Sequence, residues 1–176
     1  MRDDLEVLLY GHPTLREKCR PVEDFDDDLR RLASRMETTM YAEQGIGLAA
    51  PQVGHTLRML LAEDAREGKP RARVFVNPEI VFASRERDGY NEGCLSLPEI
   101  FEDVSRPVRI RVRYQDLDGA EHEIEDDGLL ARIVLHEMDH LEGVLFVDHL
   151  SMLRRKLIAR KLKALQRRAS EQTGRL

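Results

Sequence analysis

The sequence predicts one domain in which α-helices are mixed with β-strands, and three observations support this. Apolar residues recur at three- and four-residue spacing over roughly 24–43, 127–142 and 151–170, the period of helices that bury one face. Between them, 56–63, 73–83 and 108–114 are short runs that read as strands. A length of 176 residues with 41% hydrophobic and 35% charged content suits one folded core, residues 1–176, and excludes a disordered chain.

Composition narrows the class. Cys19 and Cys94 are too few for a disulfide framework, so a reducing cytoplasm is the expected compartment. The opening MRDDLEVLLYGHP has no apolar core ending in a small-residue cleavage site, so no leader is expected. No run approaches the ~20 apolar residues needed to cross a bilayer, and no membrane partner is expected. Charge is uneven within the net −5, with residues 151–176 carrying +8 and residues 1–150 carrying −13. A polyanion would therefore be met by the tail.

Gly11, Pro13 and Pro21 punctuate an irregular start. Over 24–43, Leu29, Leu32, Ala33, Met36 and Met40 form a core stripe behind an acidic first turn, which the helix dipole favours. The stretch Gly45 to Gly54, GIGLAAPQVG, is too glycine-rich for a helix interior and lacks the spacing of a phosphate loop. It reads equally as a tight loop or as a place where a ligand approaches the backbone, with Gln52 its one side-chain donor. Pro78 predicts an edge position or a bulge in the strand at 73–83. Val108, Ile110, Val112 and Tyr114 alternate with Arg109, Arg111 and Arg113, which read as a solvated face. Asp118-Gly119 predicts a hairpin returning through 120–125, and Asp126 or Asp127 is expected to cap the next helix, which Gly143 stops. In the tail, Leu153, Leu157, Leu162 and Leu165 are expected to dock a helix on the body with its basic face in water.

The sharpest motif lies on the 127–142 helix, His136-Glu137-Met138-Asp139-His140. Residues i and i+4 share a helix face, so both imidazoles can reach one metal ion. Glu137 is turned about 100° away, beside the metal's open position, where its carboxylate could take a proton from an activated water. Leu129 and Ile133 continue the stripe of His136 and His140, so the histidines point inward. A catalytic site of this kind needs a third protein ligand. A metzincin-like protease would place a histidine where this chain has Phe146, and a thermolysin-like one would use a downstream glutamate, for which only Glu171 is available. Upstream, Glu92-Gly93-Cys94-Leu95-Ser96-Leu97-Pro98 offers a thiolate in an extended segment. A zinc endopeptidase and a non-catalytic metal or binding module remain the other readings.

GIGLAAPQVG, EGCLSLP and HEMDHLEG, in that order, together with HPTLRE and FVNPEI, resemble the signature blocks of the peptide deformylase family over roughly residues 5–165. The resemblance implies an α+β fold, with antiparallel β-sheets packed around a central metal-binding helix and a C-terminal amphipathic helix. It implies removal of the formyl group from N-formyl-methionyl nascent peptides, without DNA as a partner. Cys94, His136 and His140 would hold the metal, usually Fe(II), with Zn(II), Ni(II) or Co(II) able to replace it. Glu137 would be general base and then acid, while the Gln52 amide and the Leu95 backbone N–H would stabilise the oxyanion. Ile46, Gly47, Glu92, Gly93, Leu129 and Ile133 would line the substrate cleft, and the basic terminal helix could touch the ribosome. Two departures stand out: Leu135 where the family usually has glutamine, and Phe101 where it often has arginine.

Overall fold

The computed structural model describes residues 5–173. Met1 to Asp4, which open the stretch read as lacking a leader, and Arg175 of the basic tail lie outside the described residues. The first helix, α1, spans Asp27–Ala42, and the Asp26 carboxylate caps it by accepting from the Leu29 N–H at 2.9 Å. Its expected stripe of Leu29, Leu32, Ala33, Met36 and Met40 is buried.

The chain then builds an antiparallel five-stranded sheet in the order β1-β2-β3-β6-β7, with β1 at Gly47–Ala49, β2 at Met59–Asp64, β3 at Arg71–Ala83, β6 at Ile110–Gln115 and β7 at Glu121–Asp126. GIGLAAPQVG is therefore more than a loop: it supplies the edge strand β1 and then a buried 3-10 turn at Ala50–Val53. Of the two roles open to Pro78, the sheet uses the bulge. β3 is an inner strand, and its register against β6 shifts between Val76 and Glu79. Asn77 holds that bulge at φ 49°, and its side chain bonds both the N–H and the carbonyl of Val22. Arg111 and Arg113 lie on the exposed face and pair with Glu123 and Glu125.

A second, two-stranded sheet was not legible as such. β4 at Arg87–Cys94 pairs antiparallel with β5 at Leu97–Pro107, where the sequence showed only an extended segment near Cys94. The inward positions of β5 are Leu97, Ile100, Glu102, Val104 and Arg106, and the two charged members break the apolar alternation.

The second helix, α2, spans Leu129–Leu141. Its cap corrects one expectation in detail. Gly128 holds the N-cap position, while the Asp126 carboxylate accepts from the N–H groups of Gly128 (2.9 Å) and Ala131 (2.8 Å). One face of α2 packs into a core shared with the sheet, through Leu130, Ala131, Ile133, Val134 and Leu141 against Ala49, Leu60, Ala62, Phe75 and Val112. Gly143 ends the helix at φ 72°, and a Cβ there would come within 2.6 Å of the Arg16 carbonyl oxygen.

The terminal helix α3 spans Met152–Thr173, buries Ala169, and packs Ile158, Leu162 and Leu165 against Leu8, Leu15, Leu97, Ile100 and Val104. Leu162 and Leu165 dock as expected, but Leu153 and Leu157 remain 69% exposed. The step from Leu157 to Leu162 is five residues, about 140° around the axis, so those four leucines never shared one face. Among the described residues no helix is long and apolar enough to cross a membrane.

Candidate active site and metal centre

Two elements meet at the site. The hairpin of β4 and β5 turns at Leu95 and Ser96, which leaves Cys94 at the end of β4, opposite Leu97. The inner face of α2 presents His136 and His140, both buried. Cys94 Sγ lies 3.3 Å from His140 Nε2, and one ligand atom from each of Cys94, His136 and His140 falls within 4.8 Å of the others. Sulfur and nitrogen ligands at about 2.3 and 2.05 Å on a tetrahedral ion stand roughly 3.5 Å apart, so these side chains fit a shared metal. The Glu137 Oε2 beside them is buried and has no hydrogen-bond partner among the described residues, and the same is true of His140 Nδ1. Such a buried acceptor is costly unless something in the working site meets it.

Beyond this cluster, His136 Nδ1 donates to Glu92 Oε2 at 2.9 Å, which leaves Nε2 on the side of Cys94, where a shared metal would sit. Glu92 is in turn gripped by buried Arg106, with Nε to Oε1 at 2.7 Å and Nη2 to Oε2 at 2.9 Å, and by Arg132 at 3.2 Å. The third Arg106 nitrogen, Nη1, reaches Asp139 at 2.8 Å, and His149 meets the same carboxylate at 2.7 Å. Burial works against a charged Glu92, but its bonds from His136 and Arg106 prevail and hold the carboxyl at about 2. Glu137 has no such partners, and burial pushes its carboxyl up to about 7. Burial also lowers His140 well below the usual histidine range, helped by the charges of His136 and Arg106. His136 is held well above that range: burial opposes its charge, yet its bonds to Cys94 and Glu92 outweigh the cost.

Gln52, also buried, closes the other side of the site. Its Oε1 accepts from the Ala49 N–H at 2.8 Å, which settles which end of the amide faces inward. Nε2 donates to Ser96 Oγ at 3.1 Å and points at Cys94 Sγ at 3.4 Å. Gly47 is required by space alone, since a Cβ there would lie 2.5 Å from Glu137 Oε1 and 2.7 Å from Ile133 Cγ2. A cleft of about 520 Å³ opens above these groups, lined by Ile46, Gly47, Gln52, Glu92, Gly93, Cys94, Leu95, Leu129, Ile133, His136 and Glu137. Every candidate ligand, catalytic and cleft residue named from the sequence thus borders the cleft except His140, which lies beside Cys94.

The sequence reading missed Arg106, Arg132, Asp139 and Ser96. None carries a local signal, because each matters only through a partner many residues away. Leu135 packs partly buried against the core between α2 and the sheet, and its carbonyl faces Arg106 Nη1 at 3.5 Å.

Comparison with known proteins agrees with this geometry. A family model described as Polypeptide deformylase matches residues 4–156. A peptide deformylase of Brucella suis is 49% identical over 167 residues, covering 94% of this chain and 95% of that protein. Among solved structures, the peptide deformylase 1B of Arabidopsis thaliana superposes with a TM-score of 0.89 at 38% identity, covering 97% of this chain and 94% of the other. One from Legionella pneumophila gives 0.85 at 40% identity, covering 95% and 98%. A family model over most of the chain, together with relatives of this identity and coverage, shows that this chain belongs to the peptide deformylase family.

Proposed function

We propose that this chain is a metal-dependent hydrolase that removes the N-formyl group from the formylmethionine of newly made polypeptides and releases formate. The observation that carries the reading is the meeting of the Cys94 thiol with the His136 and His140 rings beside the buried, unpartnered carboxylate of Glu137. Cys94, His136 and His140 would hold one divalent ion, Fe(II) in the cell, and Zn(II), Ni(II) or Co(II) suit the same donors. When bound, such an ion would supply Lewis acidity that makes an attacking water far more acidic than in bulk solvent at neutral pH.

The protein's own groups do the rest. Glu137, with its carboxyl near 7, is matched to taking a proton from the attacking water and returning it to the amine as the C–N bond breaks. The Gln52 amide, oriented by Ala49, and the Leu95 backbone N–H stabilise the oxygen that gains charge when the formyl carbon is attacked. Gly47 keeps the wall beside Glu137 thin enough for the small formyl group to enter. Ile46, Gly93, Leu129 and Ile133 offer apolar surface to the methionine and the chain behind it. Glu92 acts from behind, fixing the His136 ring through Nδ1.

We further infer that the described chain works as a single catalytic domain in the cytoplasm. The exposed basic residues of α3, among them Lys156, Arg160, Lys163, Arg167 and Arg168, suit contact with ribosomal RNA. An endopeptidase is disfavoured because Phe146 stacks on His136 with ring centroids 5.9 Å apart, an apolar ring where such an enzyme would need a ligand. The test is anaerobic purification with elemental analysis, followed by formate release from formyl-Met peptides. Bound metal at about one equivalent, lost in Cys94→Ala, together with formate release is expected. A metal-loaded protein that cleaves internal peptide bonds and releases no formate would overturn the reading.

A further inference from the structure

Exposed large apolar side chains gather at the mouth of the cleft. Phe101 is 64% exposed, Tyr90 51%, Leu129 49% and Ile46 42%, and all four border it. They come from four separate places: β5, β4, the first turn of α2 and the segment before β1. Isolated exposed apolar residues need no explanation, but a ring of them around one cleft marks a binding surface.

Two of the rings are held in place. The Phe101 ring packs on the Gly93 backbone, where a Cβ would come within 2.5 Å of Cε1. Tyr90 lies under the Arg132 guanidinium at 5.6 Å, and Arg132 is itself bound to Asp88 and Glu92. Arg132 is the only lysine or arginine lining the cleft among the described residues, so no uncommitted side-chain cation at the mouth could hold an acidic side chain. The metal ligands occupy the floor, so the formylated residue is taken deep. An extended chain leaving the floor turns successive side chains to opposite sides, and the next one must pass the rim.

We propose that Phe101, supported by Tyr90, makes the enzyme select a bulky apolar side chain at the residue following the formylmethionine. This rests on the deformylase reading and specifies the substrate class within it. Burying that side chain against the rings removes apolar surface from water on both partners, a gain that a serine cannot match.

The test compares kcat/KM for formyl-Met-Phe-Ser and formyl-Met-Ser-Ser with the metal-loaded full chain. A preference of about tenfold for phenylalanine is expected, the size that apolar pocket contacts supply. In Phe101→Ala the ratio should fall to within about twofold, and in Tyr90→Ala part of the way. Because the readout is a ratio within one protein, loss of folded material does not mimic it. Equal rates on the two peptides, or an undiminished ratio in Phe101→Ala, would overturn the proposal. Affinity of both peptides for Glu137→Gln reads the same preference without turnover. Absence of formate from both peptides would therefore count against the deformylase reading, while the affinity ratio would still decide the role of Phe101.

Discussion

Glu92, which bonds His136, and Glu137, which follows His136 in the chain, are both buried, yet the protein treats them in opposite ways. Glu92, on β4, is bonded by Arg106 of β5 and by Arg132 and His136 of α2, which keep it ionised, with a carboxyl near 2. Glu137 faces the cleft, where burial without a partner lifts it to about 7. The contrast shows that hydrogen-bond satisfaction sets the charge of these two carboxylates, because desolvation pushes both in the same direction.

The largest way to break the contrast is Glu137→Gln, which should keep the metal while lowering kcat by about 10²–10⁴. Formate release and elemental analysis on one sample check both halves, and near-normal turnover would remove Glu137 as the proton carrier. Gln52→Leu removes a donor from the same cleft side and should lower kcat by about 10²–10³ with KM less affected. A change confined to KM would make Gln52 a binding residue only.

On the other side, Arg106→Ala should weaken metal affinity by about 10–100-fold, because Glu92 would no longer hold the His136 ring. Competition with a chelator measures this, and unchanged affinity with a lowered Tm would reduce Arg106 to a purely structural role.

The metal-free protein offers a test by pH. Glu137 has its carboxyl raised from 4.5 to about 7 on folding. Its contribution is therefore full below about 4.5 and is lost as pH rises through 7. Glu92 has its carboxyl lowered from 4.5 to about 2. Its contribution is present above 4.5 and is lost as pH falls through 2. Between pH 4.5 and 7, Tm of the wild type should drop by several degrees relative to Glu137→Gln, at roughly 2–4 °C per kcal/mol for a chain of this size. Between pH 4.5 and 2 it should drop relative to Glu92→Gln. Parallel Tm curves would mean that the two carboxyls titrate alike. The smallest effect is expected from Asp88→Asn, at the exposed end of the Arg132 pair, with a stability change below about 1 kcal/mol by denaturant titration.

Much of this was legible in local patterns. The stripe of α1 and the His136–His140 pair follow from the helical period, whereas of the two expected caps, Asp126 and Asp127, neither takes the cap position, which is Gly128, and Asp126 bonds the first turn from two residues before it. The β4–β5 hairpin was not legible, because Glu102 and Arg106 occupy its inward face, and Arg106 is tolerated there only through Glu92 and Asp139. Leu153 and Leu157 misled in the other direction, since apolar composition alone does not say which residues share an azimuth with Ile158.

The sequence by itself determined which helix presents the paired histidines, since i and i+4 neighbours are fixed by the backbone period whatever surrounds them. From the residues alone Cys94 was one possible third ligand, and only its likeness to known signature blocks singled it out. The tertiary structure alone decided that its sulfur lies against a ring 46 residues away, and that one glutamate is satisfied while the other is left bare. Those outcomes depend on long-range packing, where the partners that set an ionisable group's charge come from other strands and leave no trace in its own neighbourhood.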